Sequence, residues 1–340
     1  MNKQVSSGYD LIVGASGQDG FYLQELLNSL GRKILCIDKD GFLDENKNLS
    51  SFDIRNATQV DALFIDYPIA RIFYLPAYHH SAEQSDANHI DTLKLSMDIH
   101  VYALENFVEA IKKYRKTARL FYAASSHLFS GHIVKDARTQ ITIDEQTPLS
   151  PKGWYAISKT AGVELLRAAR TDGVYAVNAF LFNHESALRP KSFLSSKLTH
   201  GALDAFLGDK TKLKIMDVNA QVDWGFAPDY VEAMHASLEH NTAQDYVIGS
   251  GKLHSVAQYA ELVYGLLDLN WQDYTITDTD AIKKIGGGTA LTGNSSRLFN
   301  ATGWTPQTSF KDMVARILLE IARQRNIQIE DVIKEKQHAS

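Results

Sequence analysis

The chain of 340 residues is long enough for one large α/β unit or for two domains that share an interface. Hydrophobic residues make up 44% and charged residues 22%, which is typical of a folded protein and unlike a disordered one. The formal net charge of -5 argues against a nucleic-acid-binding protein, because such proteins usually carry a basic excess. The single cysteine, Cys36, excludes an intramolecular disulfide and a cysteine metal cluster.

The sequence contains no signal for a membrane or for secretion. Residues 1–9 are polar and lack the apolar core of a signal peptide. No stretch reaches the ~18 apolar residues that a membrane span requires. We therefore expect a cytoplasmic protein with no membrane partner.

Short apolar runs alternate with longer amphipathic segments through the first half of the chain. This alternation predicts βαβ units and therefore a doubly wound parallel sheet of the Rossmann type. The predicted strands are 10–13, 33–37, 69–75, 119–124 and 174–181. The predicted helices are 18–30, 56–66, 91–114 and 154–170.

After about residue 185 the alternation ends, and the pattern predicts a smaller C-terminal α/β substrate-binding lobe. The elements predicted there are helices 192–207, 254–267 and 310–323 and strands 213–216 and 245–248. The predicted organisation is an NAD-binding Rossmann domain over 1–185, with a return segment near 222–248. Residues 186–221 and 249–335 form the substrate lobe, in which the glycine run at 286–288 is interpreted as a loop.

A glycine-rich motif, Gly14-Ala-Ser-Gly-Gln-Asp-Gly20, directly follows the first strand and opens a helix. Its glycines permit a tight turn, close approach of the backbone to a pyrophosphate, and close packing of the helix on the strand. The second strand ends at Asp38, whose carboxylate would accept ribose hydroxyls and repel the extra phosphate of NADP, although it could also be a turn former. Lys39, next to this aspartate, could tolerate a ribose phosphate and therefore weakens the predicted preference for NAD. The predicted cofactor-binding residues are Gly14, Ser16, Gly17, Gln18, Asp19, Gly20, Asp38, Asp53, Ile54, Leu75, Ala77, Tyr155 and Lys159.

Tyr155 and Lys159 are four residues apart and therefore one turn apart on the same face of a helix. A tyrosine whose ordinary pKa is near ~10 is a poor base at neutral pH, but a nearby ammonium and the nicotinamide charge would stabilise its phenolate. Ser125, just past strand 119–124, could hydrogen-bond the same substrate oxygen. The Tyr-x-x-x-Lys pattern is common on surface helices, and its position after a dinucleotide motif is what favours a catalytic role.

Further motifs are spread from the first strand almost to the end of the chain. Besides the two motifs above, they occupy residues 125–129, 147–148, 181–186, 223–225, 229–231, 303–304 and 306. With them the chain resembles an extended short-chain dehydrogenase/reductase of the NAD-dependent epimerase/dehydratase family. It is most similar to the GDP-mannose 4,6-dehydratase branch, to which segments 182–186 and 223–225 are specific.

The resemblance implies a nucleotide-diphosphate sugar as substrate and a hydride transfer from sugar carbon 4 to the nicotinamide. It implies that Tyr155 is the base, that Lys159 tunes its pKa, and that Ser125 takes the place of the family's threonine. Dehydratases of this kind then eliminate water across carbons 5 and 6 and return the hydride. The substrate-binding residues that it implies are Ser126, Asn183, Arg189 and Lys197. Asn183 could instead cap a loop, and Lys197 and Arg189 could be solvated surface residues.

The chain departs from the branch at the residue that elimination requires. The family's glutamate acid/base aligns with His127, whose ordinary pKa near ~6.5 suits proton transfer. In an extended segment Ser125 and His127 would point to the same side, although a lone histidine is as often a packing or surface residue. Val222 stands where an arginine is usual, and the family's late Arg-Pro falls near residues 284–285, so two substrate contacts are in doubt.

The loop at residues 38–45 is acidic, whereas the family has a basic loop that binds the extra phosphate of NADP and builds tetramers. This difference supports NAD and a homodimer, which the resemblance places on helices 91–114 and 154–170. No metal is expected, because the adjacent His79 and His80 would point to opposite faces of an extended strand.

The sequence therefore predicts an NAD-dependent nucleotide-sugar enzyme that acts by hydride transfer at carbon 4, as a dehydrogenase, epimerase or reductase. This chemistry needs Ser125, Tyr155, Lys159 and the cofactor, whereas elimination needs a further proton carrier for which His127 is the candidate. A true GDP-mannose 4,6-dehydratase is the second hypothesis. A non-catalytic NAD-sensing protein is the third, and the intact tyrosine and lysine argue against it because a sensor needs no phenolate base.

Overall fold

The structure is a computed structural model that describes residues 8–44, 46, 48–78, 89–132, 140–277 and 290–332. The strands are β1 (Tyr9–Val13), β2 (Ile34–Asp38), β3 (Gly41–Leu43), β4 (Leu49–Ser50), β5 (Ile69–Tyr74), β6 (Arg119–Ser125), β7 (Gln140–Ile143), β8 (Tyr175–Leu181), β9 (Asn183–Glu185), β10 (Leu213–Ile215), β11 (Gln221–Phe226), β12 (Asp245–Ile248), β13 (Leu253–Ser255), β14 (Thr275–Thr277) and β15 (Ala290–Gly293). The helices are α1 (Gln18–Ser29), α2 (Ala57–Asp66), α3 (His89–Met97), α4 (Ala103–Tyr114), α5 (Gly153–Thr171), α6 (Leu194–Phe206), α7 (Ala227–Glu239), α8 (Val256–Gly265), α9 (Ser296–Thr302) and α10 (Phe310–Gln324).

An eight-stranded sheet dominates the structure, with the strand order β12-β8-β6-β5-β1-β2-β3-β4. Its first six strands are parallel, and β3 and β4 continue it in antiparallel fashion. All five residues of β1 are buried, as expected for a parallel strand with helices on both faces. The predicted Rossmann-type α/β fold is confirmed. Because β2 and β5 lie on opposite sides of β1, a ligand crevice is expected at the carboxyl end of β1.

Helices cover both faces of this sheet. One core cluster packs α2, α4 and α5 on one face, and another packs α1, α7 and α9 on the other. A third cluster lies around α6, α8, α10 and β11, in the predicted lobe region. None of the described helices is both long and apolar enough to cross a lipid bilayer.

Two predicted segments differ from the observed structure. The single helix predicted over 91–114 contains a π-helical turn, Asp98–Tyr102, between α3 and α4. In the return segment predicted near 222–248, α7 packs on the large sheet and β12 forms its edge, whereas β11 pairs with β9 and β13 in a separate sheet. The chain thus re-enters the large sheet after β11.

Candidate active site

The glycine-rich loop connects β1 to α1 at the carboxyl edge of the sheet. Gly14 has a φ of +85°, which an L side chain rarely adopts, and a Cβ atom on Gly20 would lie 2.5 Å from the carbonyl oxygen of Gly14. No described side chain caps the N-terminus of α1 at Gly17. The first amide groups of the helix therefore form a site where an anionic phosphate is stabilised.

A cavity of about 710 Å³ opens over this loop. It lies at the ends of β1, β2 and β5, where a sheet of this type binds its ligands. The predicted cofactor residues in its lining are Gly14, Ser16, Gly17, Gln18, Asp19, Gly20, Asp38, Asp53, Ile54, Leu75 and Ala77. The size of the cavity and its glycine-rich floor fit a dinucleotide.

Asp38 joins the end of β2 to the glycine-rich loop. Its carboxylate accepts hydrogen bonds of 2.7 Å from the backbone amides of Ser16 and Lys39. Lys39 and Arg55 also line the cavity. Arg55 is paired with Asp53 at 2.7 Å, and this hydrogen-bonded pair holds the pKa of Asp53 below its usual range.

Asp19 and His184 form a partly buried pair that ties the glycine-rich loop to β9. His184 Nε2 lies 3.0 Å from the Asp19 carboxylate, and Nδ1 lies 2.7 Å from the carbonyl oxygen of Phe182. Burial by itself lowers the pKa of His184, but the charge of Asp19 raises that pKa overall. Gln18 adds a hydrogen bond from its amide to the His184 carbonyl and accepts one from Ser186. The predicted cofactor residues Gln18 and Asp19 are thus held in place by segment 182–186.

Tyr155 lies in the first turn of α5, beside Ser125 at the end of β6. Burial raises the pKa of Tyr155, while the hydrogen bond with Ser125 and the positive charge of Arg189 partly offset that rise. The phenol is therefore protonated at neutral pH. The tyrosine ring also meets the rings of His100 and His127 edge to face, with centroid distances of 5.5 and 5.9 Å.

Lys159 is fully buried one turn after Tyr155 on α5. Its ammonium donates hydrogen bonds to the carbonyl oxygens of Ala123 at 2.7 Å and Pro76 at 3.0 Å, and lies 4.7 Å from the centroid of the Tyr122 ring. Burial lowers the pKa of Lys159 to about 7. The lysine thus connects α5 to β6 and to the loop after β5. Among the described residues, the cation that lowers the pKa of Tyr155 is Arg189.

His127 reaches the site by a route that differs from the prediction. The extended segment expected through Ser125 and His127 is wrong, because β6 ends at Ser125 and a 3-10 turn, Ser126–Phe129, follows. Ser125 Oγ caps this turn by accepting a hydrogen bond of 3.2 Å from the His127 amide. The turn still places the exposed imidazole against Tyr155, and desolvation by the neighbouring groups lowers the pKa of His127.

The four predicted substrate residues lie in different environments. Arg189 lines the cavity, with Nε 3.2 Å from the Glu185 carboxylate and its guanidinium 4.5 Å from the Phe193 ring centroid. Asn183 is exposed at the start of β9, Ser126 is half-buried in the 3-10 turn, and Lys197 is half-buried in α6. Arg189 is the member of this set that lines the cavity, and its positive charge also lowers the pKa of Tyr155.

No group of three or more histidine, cysteine, aspartate or glutamate residues in the described part of the chain is arranged to hold a metal ion. His79, His80 and residues 284–288 lie outside the described ranges. Neither His100 nor His184 is among the predicted site residues, and both are brought to the site by contacts between residues far apart in the chain.

Comparison with known proteins shows where the chain belongs. The sequence model of the family described as GDP-mannose 4,6 dehydratase matches residues 11–317. The chain is a member of this family. GDP-mannose 4,6 dehydratase 2 of Arabidopsis thaliana, for example, is 27% identical over 346 residues, which cover 94% of this chain and 89% of that relative. The predicted resemblance is confirmed, and the chain is an enzyme of the extended short-chain dehydrogenase/reductase class.

Solved structures of the same fold include two with different nicotinamide cofactors. RMD from Pseudomonas aeruginosa, complexed with NADPH, has a TM-score of 0.76 at 20% identity, over 94% of this chain and 100% of that chain. The dTDP-glucose 4,6-dehydratase of Bacillus anthracis, in complex with NAD, has a TM-score of 0.74 at 17% identity, over 94% of this chain and 98% of that chain. These two proteins of the same fold thus bind different nicotinamide dinucleotides.

Proposed function

We propose that this enzyme uses NAD to transfer a hydride at carbon 4 of a GDP-mannose-type nucleotide sugar, as a dehydrogenase, epimerase or reductase. The observation that supports this proposal best is the hydrogen-bonded pair of Ser125 and Tyr155. Lys159, one turn after Tyr155, donates a hydrogen bond to Pro76 in the lining of the cavity. The family's elimination residue is replaced by His127. In this proposal residues 1–185 and the return segment hold the cofactor, and the remaining lobe holds the sugar nucleotide.

The chain's own residues supply a proton and its orientation. When bound, a nicotinamide dinucleotide accepts or returns a hydride. Because burial keeps the Tyr155 phenol protonated, the site is set to donate a proton to a carbon-4 ketone as the hydride arrives. In the oxidative direction the phenol must first lose its proton, which the Ser125 hydrogen bond and the Arg189 charge favour. Ser125 then orients the same substrate oxygen.

A second candidate function is 4,6-dehydration, which family membership and the position of His127 favour. Desolvation by neighbouring groups lowers the pKa of the exposed His127 below its ordinary 6.5, so the imidazole is neutral at neutral pH and can accept a proton. Elimination would require it to take the proton from carbon 5 while carbon 6 loses its hydroxyl. Hydride transfer requires no such group, and for this reason we rank it first.

Mass spectrometry of GDP-mannose incubated with the purified enzyme and NAD separates these functions. Loss of two hydrogens, or an isomer of unchanged mass that elutes differently, is the expected result. Loss of one water would overturn our first choice in favour of the dehydratase. The variant His127→Glu restores the family's carboxylate, so water loss in this variant alone would show that the rest of an elimination site is present.

The preference for NAD over NADP is proposed from Asp38. Its carboxylate stands where the ribose hydroxyls of a dinucleotide bind in this fold, and it repels a ribose phosphate. We expect Asp38→Asn to lower kcat/KM for NAD and to raise kcat/KM for NADP, changing their ratio at least about tenfold. Steady-state kinetics with both cofactors measures this ratio. Asp40→Asn, an exposed carboxylate two residues away, is the matched control, and a wild-type enzyme that prefers NADP would contradict the assignment.

A homodimer through the region of α3, α4 and α5 is supported by exposed apolar side chains. Tyr102, Trp154 and Ile157 are 61%, 41% and 40% exposed, and α3 and α5 contact each other. Large exposed apolar groups of this kind commonly cover one another in an interface. We expect sedimentation to give twice the mass of one chain and Ile157→Asp to give the monomer. Ile65→Asp, at an equally apolar exposed site on α2, should remain dimeric.

A further inference from the structure

We propose that His100 is a positioning residue that connects the wall of the cofactor cavity to the helix carrying Tyr155. The inference rests on the proposed function, because Tyr155 is the group that His100 positions. His100 is fully buried and lies in the π-helical turn. It is not one of the site residues predicted from the sequence.

The hydrogen bonds of His100 define its tautomer. The backbone amide of Tyr78 donates to Nε2 at 3.1 Å, so this nitrogen carries no proton. Nδ1 therefore carries the proton and donates to Ser158 Oγ at 2.8 Å. Ser158 in turn donates to the carbonyl oxygen of Tyr155 at 3.0 Å. A continuous chain of hydrogen bonds thus runs from the loop after β5 to the catalytic residue on α5.

Neighbouring elements hold the backbone of the π-helical turn, in addition to the hydrogen bonds of the His100 ring. The phenol of Tyr74 donates to the carbonyl oxygen of Ile99, and the phenol of Tyr122 lies 3.4 Å from the carbonyl oxygen of His100. A Cβ atom on Gly162 would lie 2.6 Å from the same His100 oxygen, so the glycine allows α5 to approach this closely. Strands β5 and β6 and helix α5 thus all hold the turn, as is common for π-helical turns at functional sites.

The same loop that His100 holds also forms part of the cavity. Leu75, Pro76 and Ala77 line the cavity, and Tyr78 follows directly. Pro76 also accepts the hydrogen bond from Lys159. The His100 ring contacts the Tyr155 ring edge to face, so a movement of the loop is passed to the phenol through one rigid imidazole. His100 therefore couples the position of the loop after β5, which lines the cavity, to the position of the Tyr155 phenol.

Two substitutions at His100 test this role. Glutamine can bring its amide oxygen to about the position of Nε2 and accept from the Tyr78 amide, whereas leucine, similar to histidine in volume, can neither accept nor donate. We expect His100→Leu to lower kcat on the order of 100-fold, because a displacement of about 1 Å at a reacting group has such an effect. KM for the sugar nucleotide should change little, and His100→Gln should recover part of kcat. Equal losses in both variants, or an unchanged kcat in His100→Leu, would overturn the proposal.

Amide hydrogen exchange at Tyr78 gives a readout that does not depend on turnover. In wild type the His100 ring protects this amide. We expect faster exchange in His100→Leu, wild-type exchange in His100→Gln, and weaker NAD binding by calorimetry in the leucine variant alone. If the wild type turned over no sugar nucleotide but showed this exchange pattern, the proposed function would fail and the structural link would stand. If exchange at Tyr78 were the same in all three proteins, the link itself would be wrong.

Ser158→Ala separates the two halves of the hydrogen-bond chain. It removes the contact to α5 and keeps the contact between His100 and Tyr78. We expect a smaller loss of kcat than in His100→Leu and wild-type exchange at Tyr78. The double variant should lose less than the product of the two single losses, because both act through one connection. Independent, multiplying losses would contradict the chain.

Discussion

Replacing Tyr155 with phenylalanine is expected to lower kcat by roughly 10²–10⁴-fold and to leave NAD binding unchanged. The variant loses the phenolic proton that the site exchanges with the substrate oxygen. The ring remains, so its edge-to-face contacts with His100 and His127 persist. Single-turnover kinetics with the sugar nucleotide measures the loss in the chemical step, and calorimetry measures the affinity for NAD.

Tyr114→Phe is the matched control for this experiment. Its hydroxyl group hydrogen-bonds Asp61 at the far end of α4, away from the cavity, so its removal should leave kcat within about twofold. Turnover that survives in Tyr155→Phe would show that Tyr155 is not the proton donor. A loss of NAD binding in that variant would instead indicate a structural role for the phenol.

The glycine-rich loop and the Tyr155–Lys159 pair could be located from the sequence because each is a local pattern. The glycine spacing from Gly14 to Gly20 fixes a strand-turn-helix connection, and the four-residue spacing of Tyr155 and Lys159 fixes one face of a helix. Both patterns carry their geometry within a few residues. The structure places them at the same edge of the sheet, as the alternation of strands and helices predicts.

The parts of the site that were not predicted depend on contacts distant in sequence. His100 meets Tyr78 and Ser158, which are 22 and 58 residues away, and its π-helical turn has no recognised sequence signal. His184 meets Asp19 across 165 residues. The 3-10 turn that carries His127 depends on a cap by Ser125. The prediction continued the extended strand conformation from residue 124 to His127 and therefore missed this turn. Local periodicity cannot supply such partners.

Helix α7 shows a different kind of omission. Its buried residues Tyr230, Val231, Met234 and Leu238 have helical spacing, and Pro228 stands in its first turn. The sequence therefore contains a usable signal for this helix. The short strands β9, β11 and β13 contain three to six residues each and give too little periodicity to be predicted.

Replacing Lys159 with methionine is expected to lower kcat and, near neutral pH, to raise the free energy of unfolding relative to wild type. Burial lowers the pKa of Lys159 from its ordinary 10.5 to about 7. Between these values the unfolded chain binds a proton that the folded chain has released, so the wild-type free energy of unfolding rises with pH across this interval. The destabilisation due to Lys159 is fully present below pH 7 and disappears above about 10.5. Its size is about 5 kcal/mol.

The methionine variant lacks this titration. The amount by which its free energy of unfolding exceeds that of wild type should be largest near pH 7. This difference should shrink as the pH approaches 10. The carbonyl groups of Pro76 and Ala123 lose a donor, which offsets part of the gain by about 1–3 kcal/mol but does not depend on pH. Urea unfolding at several values between pH 6.5 and 9.5 measures the difference. Catalysis should fall about 100-fold, because the loop and strand beside Tyr155 are no longer held together.

Lys116→Met, at an exposed lysine near the end of α4, is the control for the removal of a positive charge. It should change the free energy of unfolding equally at all these pH values. A difference between wild type and Lys159→Met that does not vary with pH would show that Lys159 keeps its proton when folded. In that case the ammonium is stabilised by its two carbonyl partners, and the lysine acts on Tyr155 as a permanent charge. A difference that shrinks with rising pH would instead show that the enzyme tolerates a destabilising buried amine in order to hold its catalytic residues in place.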